Sequence, residues 1–200
     1  AENMKTQMKY AHTYIVKSDI DKLDAPKITI ISADLVDKND ESVQIYGIDD
    51  GTKYDNLNIS SLQNDEAVIS NGLAKRFEYK IGDTIKIREP YNSEEKNIKI
   101  KAVDSENNYF QIFTKRTFLN KIIDRNDAYF NAYMSDNVLN VSKENLVTEI
   151  NRDEMSKFMI HFLDSFSVVF TMIQMVAIAF YFILLLMVTE LIIERSKLNM

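Results

Sequence analysis

The chain contains no cysteine and no tryptophan, and it has two histidines, two prolines and four glycines in 200 residues. Without cysteine it can form no disulfide, no zinc–thiolate site and no thiol nucleophile. It also lacks a glycine-rich phosphate-binding loop that ends in Lys and Ser or Thr, so any ATPase activity is expected on another subunit or segment. We therefore predict no catalytic, metal-binding or cofactor-binding residues, no cofactor on this chain, and no enzymatic activity.

Asp, Glu, Lys, Arg and His are missing from residues 165–189, which read SFSVVFTMIQMVAIAFYFILLLMVT. A helix of that length reaches about 37 Å at 1.5 Å per residue, more than the roughly 30 Å hydrocarbon core of a bilayer. A buried core helix is the alternative, but only large proteins cover a helix that is apolar on every side. The segment is too long and too near the C-terminus for a signal peptide. It therefore predicts a transmembrane helix, and the short tail beyond it suggests a fragment of a longer polypeptide.

Positive charge is the minority sign, and the formal net charge is −6. Glu190 and Glu194 balance Arg195 and Lys197 after the apolar segment, so residues 1–164 carry the whole excess. An acidic domain without a basic stripe argues against nucleic acid as a partner. The lipid bilayer is the partner that the sequence itself predicts.

Hydrophobic alternation before residue 151 predicts several strands and two short helices. Ser70 is expected to cap the first of these helices, and a polar hairpin at 90–97 leads into a strand that starts at Ile98. This pattern predicts an α+β fold, a small mixed-sheet ectodomain with short helices followed by one long stalk and transmembrane helix. The other predicted strands are 14–16, 27–36, 43–49, 67–69, 84–88, 109–113 and 128–134, and the predicted helices are 71–77 and 117–123.

The last element is expected to start near Asn151, which has the spacing of a capping box with Glu154. Neither Gly nor Pro occurs between Asn151 and Arg195. One continuous helix of about 45 residues, some 65 Å long, is therefore predicted. The predicted organisation is a folded domain at 1–150, a stalk at 151–164, a transmembrane helix at 165–193 and a short segment beyond the span at 194–200.

Two clusters that could carry chemistry are better explained structurally. His161 and Asp164 are three residues apart on the predicted helix and supply two ligands at most, too few for a metal site, and no nucleophile accompanies them. The run Asp37–Glu41 resembles the start of a calcium loop but lacks the required glycine and the final glutamate, so a solvated turn is favoured.

A family resemblance enters at residues 67–87, which fit the string A-V-I-S-x-x-L-A-x-x-F-x-x-x-I-G-D-T-I-x-I. This string is similar to the periplasmic core domain of FtsX/MacB-type ABC transporter permeases. Residues 43–49 (VQIYGID) resemble that family's strand ending in Gly-Val/Ile-Asp, and the apolar segment closing on Ile193-Glu194-Arg195 resembles its second transmembrane helix. The three matches follow the family's order and are clearest from residue 43 onward. Their fold-defining residues are Ser70, Leu73, Ala74, Gly82 and Asp83.

The resemblance implies a fragment of a permease subunit of the mechanotransmission type. Such a protein couples ATP hydrolysis in the cytoplasm to ectodomain movement, for export or extraction of a lipoprotein, peptide or drug, or for control of cell-wall enzymes. Its implied partners are a cytoplasmic ATP-binding subunit and a second permease copy or paralogue. Its implied location is the bacterial cytoplasmic membrane, with residues 1–164 on the extracytoplasmic side and residues 194–200 at the start of a cytoplasmic segment.

Glu190, Glu194 and Arg195 lie at the end of the predicted span. They are expected either to reach the lipid headgroups or to contact the ATP-binding subunit. The alternative function is a single-pass receptor or adhesin ectodomain, in which the span is a passive anchor.

Overall fold

The computed structural model describes residues 8–19, 22–90 and 93–198. The chain divides into two compact units, Ala1–Met155 and Ser156–Met200. The first unit combines nine strands with short helices in its described part, so the predicted α+β class is confirmed. The strands are β1 (His12–Val16), β2 (Lys27–Leu35), β3 (Glu41–Ile48), β4 (Glu66–Ser70), β5 (Thr84–Arg88), β6 (Glu95–Asp104), β7 (Gln111–Lys115), β8 (Ala132–Ser135) and β9 (Leu146–Asn151). The helices are α1 (Asn71–Phe77), α2 (Arg116–Ile122) and α3 (Arg152–Leu198).

Six of the strands close into a barrel in the order β2-β3-β7-β4-β6-β5, with β5 pairing back onto β2. The β3–β7 and β4–β6 pairs are parallel, and the other pairs are antiparallel. Along one edge of β2, its end at Asp34 and Leu35 pairs with β5, whereas its start at Lys27 and Ile28 pairs with β8. The sheet therefore leaves the barrel at β2 and continues outward as β8, β1 and β9.

Alternation along the strands separates two apolar clusters. Branched aliphatic side chains fill one cluster, including Leu35, Ile45, Ile69 and Ile112, each fully buried or nearly so. The second cluster lies on other faces of the same strands and joins Ile48 and Phe113 to Tyr54 and to Met134 of β8. Because the period of a strand is two, β2, β3, β4 and β7 each serve both clusters at once. This double use explains why these four strands carry apolar residues on both faces.

Several predicted boundaries were wrong. The strand expected at 109–113 starts at Gln111, because the side chain of Asn107 accepts a hydrogen bond from the Tyr109 amide and holds that segment in a turn. The strand expected at 128–134 starts at Ala132, since the carbonyl of Tyr129 accepts hydrogen bonds from side chains of α2 and of Thr29 instead of from the backbone of a neighbouring strand.

Two further differences concern the ends of strands. β6 starts at Glu95 rather than Ile98, and residues 91–92 of the predicted hairpin lie outside the described part of the chain. The sequence did not predict β9, which pairs with β1. Residues 147–149 are exposed, so β9 has no hydrophobic alternation by which to recognise it.

Candidate membrane-spanning helix

Helix α3 runs without interruption over 47 residues, or about 70 Å. Its start is fixed by Asn151, whose Oδ1 accepts hydrogen bonds from the backbone amides of Asp153 (2.9 Å) and Glu154 (3.2 Å). The amide of Arg152 donates to the carbonyl of Ala11 at 2.9 Å. Acidic side chains in the first turn complement the positive end of the helix dipole. The predicted capping by Asn151 and the predicted continuous helix are confirmed.

The charge-free part of α3 is exposed all round. Within the described residues, α3 is the one helix long and apolar enough to cross a membrane, and none of its most apolar window is buried. Ile178 is 53% exposed and Leu186 is 68% exposed, so no protein surface in the structure covers these side chains. Such a surface is stable in hydrocarbon, whereas in water it would be costly.

The two threonine hydroxyl groups of this segment do not oppose insertion into lipid. Thr171 donates to the carbonyl of Ser167 at 2.9 Å, and Thr189 donates to that of Leu185 at 2.7 Å. Each of these hydroxyl donors therefore has a partner one turn back in the same helix, as a hydrocarbon environment requires.

The residues at the C-terminal boundary do not form one cluster. Glu190 and Glu194 are four residues apart and share a face of α3. Arg195 instead borders a shallow groove with Val188, Leu191 and Ile192, about 100° around the helix from Glu194. The structure thus brings the two glutamates together and places the arginine on a different, apolar face.

Ser70 connects two segments of the ectodomain. Its Oγ accepts hydrogen bonds from the amides of Leu73 (3.3 Å) and Gln111 (3.1 Å), and it donates to the carbonyl of Tyr109. A hydroxyl has one donor and two acceptor positions, so all three are used. Ser70 therefore caps α1, as predicted, and also fixes the start of β7, which its sequence position did not reveal. Leu73 is fully buried and, with Ala74 and Phe77, packs on the barrel cluster as expected.

The turn at Gly82 and Asp83 is also present as predicted. Gly82 has φ of +95°, a value that L side chains rarely adopt, and its amide donates to the carbonyl of Ile100 at 2.8 Å. The carboxylate of Asp83 accepts from the amide of Lys80 at 2.8 Å. The turn thereby sets the position from which β5 pairs with β6.

Sequence reasoning missed Gly72. A Cβ at this position would lie 2.2 Å from the carbonyl oxygen of Asn108, and the Gly72 amide donates to Asn107 O at 3.1 Å. The available signal was a glycine inside a seven-residue helix, a choice that costs about 1 kcal/mol relative to alanine. Close contact between α1 and the 107–109 loop explains why glycine occupies this position.

Sequence reasoning also missed Arg116. Its Nε donates to Asp49 at 2.6 Å, and its Nη1 donates to the carbonyls of Asp127 (3.0 Å) and Tyr129 (2.7 Å). A Cβ on Gly47 would approach the Cα of Arg116 to 2.9 Å. The Gly-Ile-Asp motif at 47–49 is therefore the surface on which α2 packs, and Asp49 at its end forms the salt bridge with Arg116.

A metal or catalytic centre is not evident in the part of the chain that the structure describes. No group of three or more His, Asp or Glu side chains able to hold a metal ion occurs among residues 8–19, 22–90 and 93–195. His12 pairs with Glu149 at 2.8 Å. The carboxylate of Glu66 accepts from the Gln63 amide, which together with Lys101 lowers its pKa. These contacts join strands and loops of the folded unit.

No protein family model matches the chain, and no curated protein matches it in sequence. Among solved structures, the periplasmic region of MacB from Actinobacillus actinomycetemcomitans is similar over 80% of this chain and 98% of its own length, with 8% identity and a TM-score of 0.37. A domain provisionally described as part of a permease protein from Porphyromonas gingivalis is similar over 72% of this chain, which spans 63% of that domain, with 14% identity and a TM-score of 0.31. At these values neither similarity assigns the chain to a family.

Proposed function

We propose that the chain is part of an ABC transporter permease subunit of the mechanotransmission type. In this proposal residues 1–164 are extracytoplasmic and 165–193 cross the cytoplasmic membrane. The observation that carries the proposal is the unbroken helix α3, whose first turn belongs to the ectodomain unit and whose later part holds the whole charge-free segment. The ordered motifs at 43–49, 67–87 and 193–195 support the same function.

The mechanism requires an element that transmits displacement along its length. Continuous i to i−4 hydrogen bonding makes a helix stiff along its axis, and sharp bends arise at Pro, at Gly/Ser pairs or at π-bulges. α3 contains no Pro and no Gly, and its described residues are helical throughout. A movement imposed at its C-terminal end would therefore reach Arg152 without being absorbed in a linker.

The driving subunit would be a cytoplasmic ATP-binding protein, and a second permease copy or paralogue would complete the transporter. Arg195 is the residue through which we expect α3 to receive the movement, because it lies apart from Glu190 and Glu194 and beside apolar groove residues. The two glutamates would lie at the headgroup boundary, where charge is tolerated. A lipoprotein, peptide or drug would be the transported substrate, or a cell-wall enzyme the regulated partner.

The first experiment expresses the full-length polypeptide that contains this chain and asks whether a cytoplasmic ATP-binding protein co-purifies with it. We expect a stable complex whose ATPase activity responds to the ectodomain. The charge reversal Arg195→Glu should reduce that response severalfold, whereas Lys157→Glu, on the same helix but outside the span, should not. An intact response in Arg195→Glu would remove Arg195 from the coupling path, and no associated ATPase would refute the permease proposal.

The second experiment separates a transmitting helix from a passive anchor. Replacing Leu163 and Asp164 by Gly and Pro should break α3 just before the span, since proline inside a helix costs about 3 kcal/mol and kinks it. The matched control replaces the same two residues by alanine. We expect the Gly-Pro variant to insert and to bind the ATPase but to lose ectodomain-dependent activity. Full activity would refute the role of an unbroken α3 in transmission, since coupling would then survive a break in the helix.

A further inference from the structure

A cleft in the ectodomain lies where the sheet leaves the barrel. One wall is formed by strands β2, β3 and β7 of the barrel, and the other by β8, β1 and β9, with residues 8–10 and Tyr54 beside them. Its volume is about 220 Å³. At roughly 30 Å³ for each water, this space matches a ligand of about seven or eight non-hydrogen atoms. Apolar side chains form most of the lining, including Tyr10, Ile15, Ile30, Tyr54, Met134 and Ile150.

A chain of hydrogen bonds fixes the direction of the polar groups at the cleft. The Tyr109 amide can only donate, and it donates to Asn107 Oδ1 at 2.9 Å. Asn107 must therefore present its Nδ2 to Gln111 Oε1, at 2.7 Å. Gln111 then presents Nε2 to the hydroxyl oxygen of Tyr46 (3.2 Å), and Tyr46 donates its proton to Gln44 Oε1 (2.9 Å).

This chain of hydrogen bonds ends at a donor group. Gln44 uses its oxygen to accept from Tyr46, so the two Nε2 hydrogens of this exposed residue have no protein acceptor among the described residues and are open to solvent or to a ligand. Burial raises the pKa of Tyr46 to about 12, so its phenol keeps its proton at neutral pH and the direction of the chain is maintained. The amide orientation rests on a backbone N–H, which cannot be flipped.

The charge at the cleft also favours a ligand that accepts hydrogen bonds. Lys9 is the one charged side chain among the described residues that line it, and no carboxylate lies among them. The domain as a whole is acidic, yet this cleft offers an ammonium group and an amide donor. Both groups favour an anionic oxygen, and hydrogen bonds to ionised acceptors are about twice as strong as neutral ones.

We propose that this cleft binds a small amphipathic carboxylate, with its apolar tail between the barrel wall and β8–β1–β9 and its carboxylate at Gln44 and Lys9. The direction of the hydrogen bonds and the charge of the lining support binding of the carboxylate. The volume of the cleft supports binding of the apolar tail. The inference is independent of the proposed permease function. Refutation of the permease function would not refute ligand binding at the cleft, and the reverse also holds.

The test uses the full chain in lipid nanodiscs with ¹³C-methyl methionine, titrated with hexanoate at pH 7. Met8 and Met134 line the cleft, whereas Met172, Met175 and Met187 lie in the charge-free segment and report ligand that partitions into lipid. We expect saturable shifts of the first pair with a dissociation constant of about 1 mM, and no saturable shift of the other three. Hexanamide, which has no charge, should bind at least about tenfold more weakly, and acetate should not bind measurably.

Variants identify the head site. Gln44→Glu and Lys9→Gln should each weaken hexanoate binding about tenfold or more. The matched controls Asn97→Asp and Lys86→Gln change the same charges at exposed positions on β6 and β5 and should leave binding unchanged. A Met134 methyl chemical shift typical of a buried side chain would show that each variant is folded. Linear shifts without saturation, equal binding of hexanamide, or unaltered binding in Gln44→Glu would overturn the proposal.

Discussion

Gly72→Ala is the substitution that most directly tests the packing of α1. In an ordinary helix interior this change stabilises by about 1 kcal/mol, because glycine loses more backbone entropy on folding. Here the new Cβ would lie 2.2 Å from Asn108 O and 2.5 Å from Asn108 C, where 3.4 Å or more is ordinary contact. Both atoms belong to backbone, so α1 or the 107–109 loop must move by about 1 Å, the scale of displacement that overpacking a close-packed site imposes.

The cost of that movement can be estimated from the contacts it disturbs. Overpacking a well-packed site costs about 1–3 kcal/mol. The Gly72 amide bond to Asn107 O and the Ser70 bond to Tyr109 O are each worth about 1 kcal/mol. After subtraction of the helix-propensity gain, Gly72→Ala should destabilise the ectodomain by about 2–4 kcal/mol.

Urea unfolding of the full chain in detergent micelles measures this difference. The chain has no tryptophan, and nine of its ten tyrosines lie in residues 1–155, so tyrosine fluorescence reports unfolding of the ectodomain. With a slope of about 2 kcal/mol/M, the midpoint should fall by roughly 1–2 M. Gly51→Ala is the control, because φ is +78° there but no atom lies within 4 Å, so strain alone of about 1–2 kcal/mol is expected. A midpoint for Gly72→Ala at or above that of the unmodified chain would refute the rigid contact.

Two further predictions use the same measurement. Arg116→Ala removes donors to Asp49, Asp127 O and Tyr129 O and should lower the free energy of unfolding by about 2–4 kcal/mol. The exposed control Lys86→Ala should lower it by less than about 0.5 kcal/mol. Equal effects of the two substitutions would contradict the anchoring role of Arg116. Burial raises the pKa of Tyr46 to about 12, so its contribution to stability is complete below the unfolded pKa of about 10 and is lost as the pH rises through 12. Between those values the urea midpoint of the unmodified chain should fall more steeply than that of Tyr46→Phe, and parallel curves would contradict the burial effect.

The elements that the sequence predicted well are those whose signal is local. The cap at Ser70, the turn at Gly82–Asp83 and the start of α3 after Asn151 each depend on a side chain that bonds backbone within about three residues. Strand β5 alternates clearly because one face is buried and the other is exposed. Strand β9 was missed because its central residues are exposed, and its existence depends on pairing with β1, which lies 130 or more residues away.

The candidate functional residues divide in the same way. Membrane spanning follows from a run of residues without charge, which is a property of composition along one helix. The separation of Arg195 from Glu190 and Glu194 follows from helix geometry once the helix is known to continue. The donor end of the hydrogen-bond chain at Gln44 could not be predicted, because it joins residues 44, 46, 107 and 111 from two strands and a loop.

The sequence by itself determined the long helix, its apolar segment, the acidic character of the rest and the α+β class, since each depends on spacing and composition within a short window. Only the tertiary structure decided that six strands close into a barrel, that Gly47 and Gly72 are contact points, and that a cleft with donor groups opens beside β2. These features depend on which distant segments meet. Contacts between residues far apart in the chain leave no periodic signal in a single sequence, because backbone pairing and close packing constrain both partners jointly rather than either one alone.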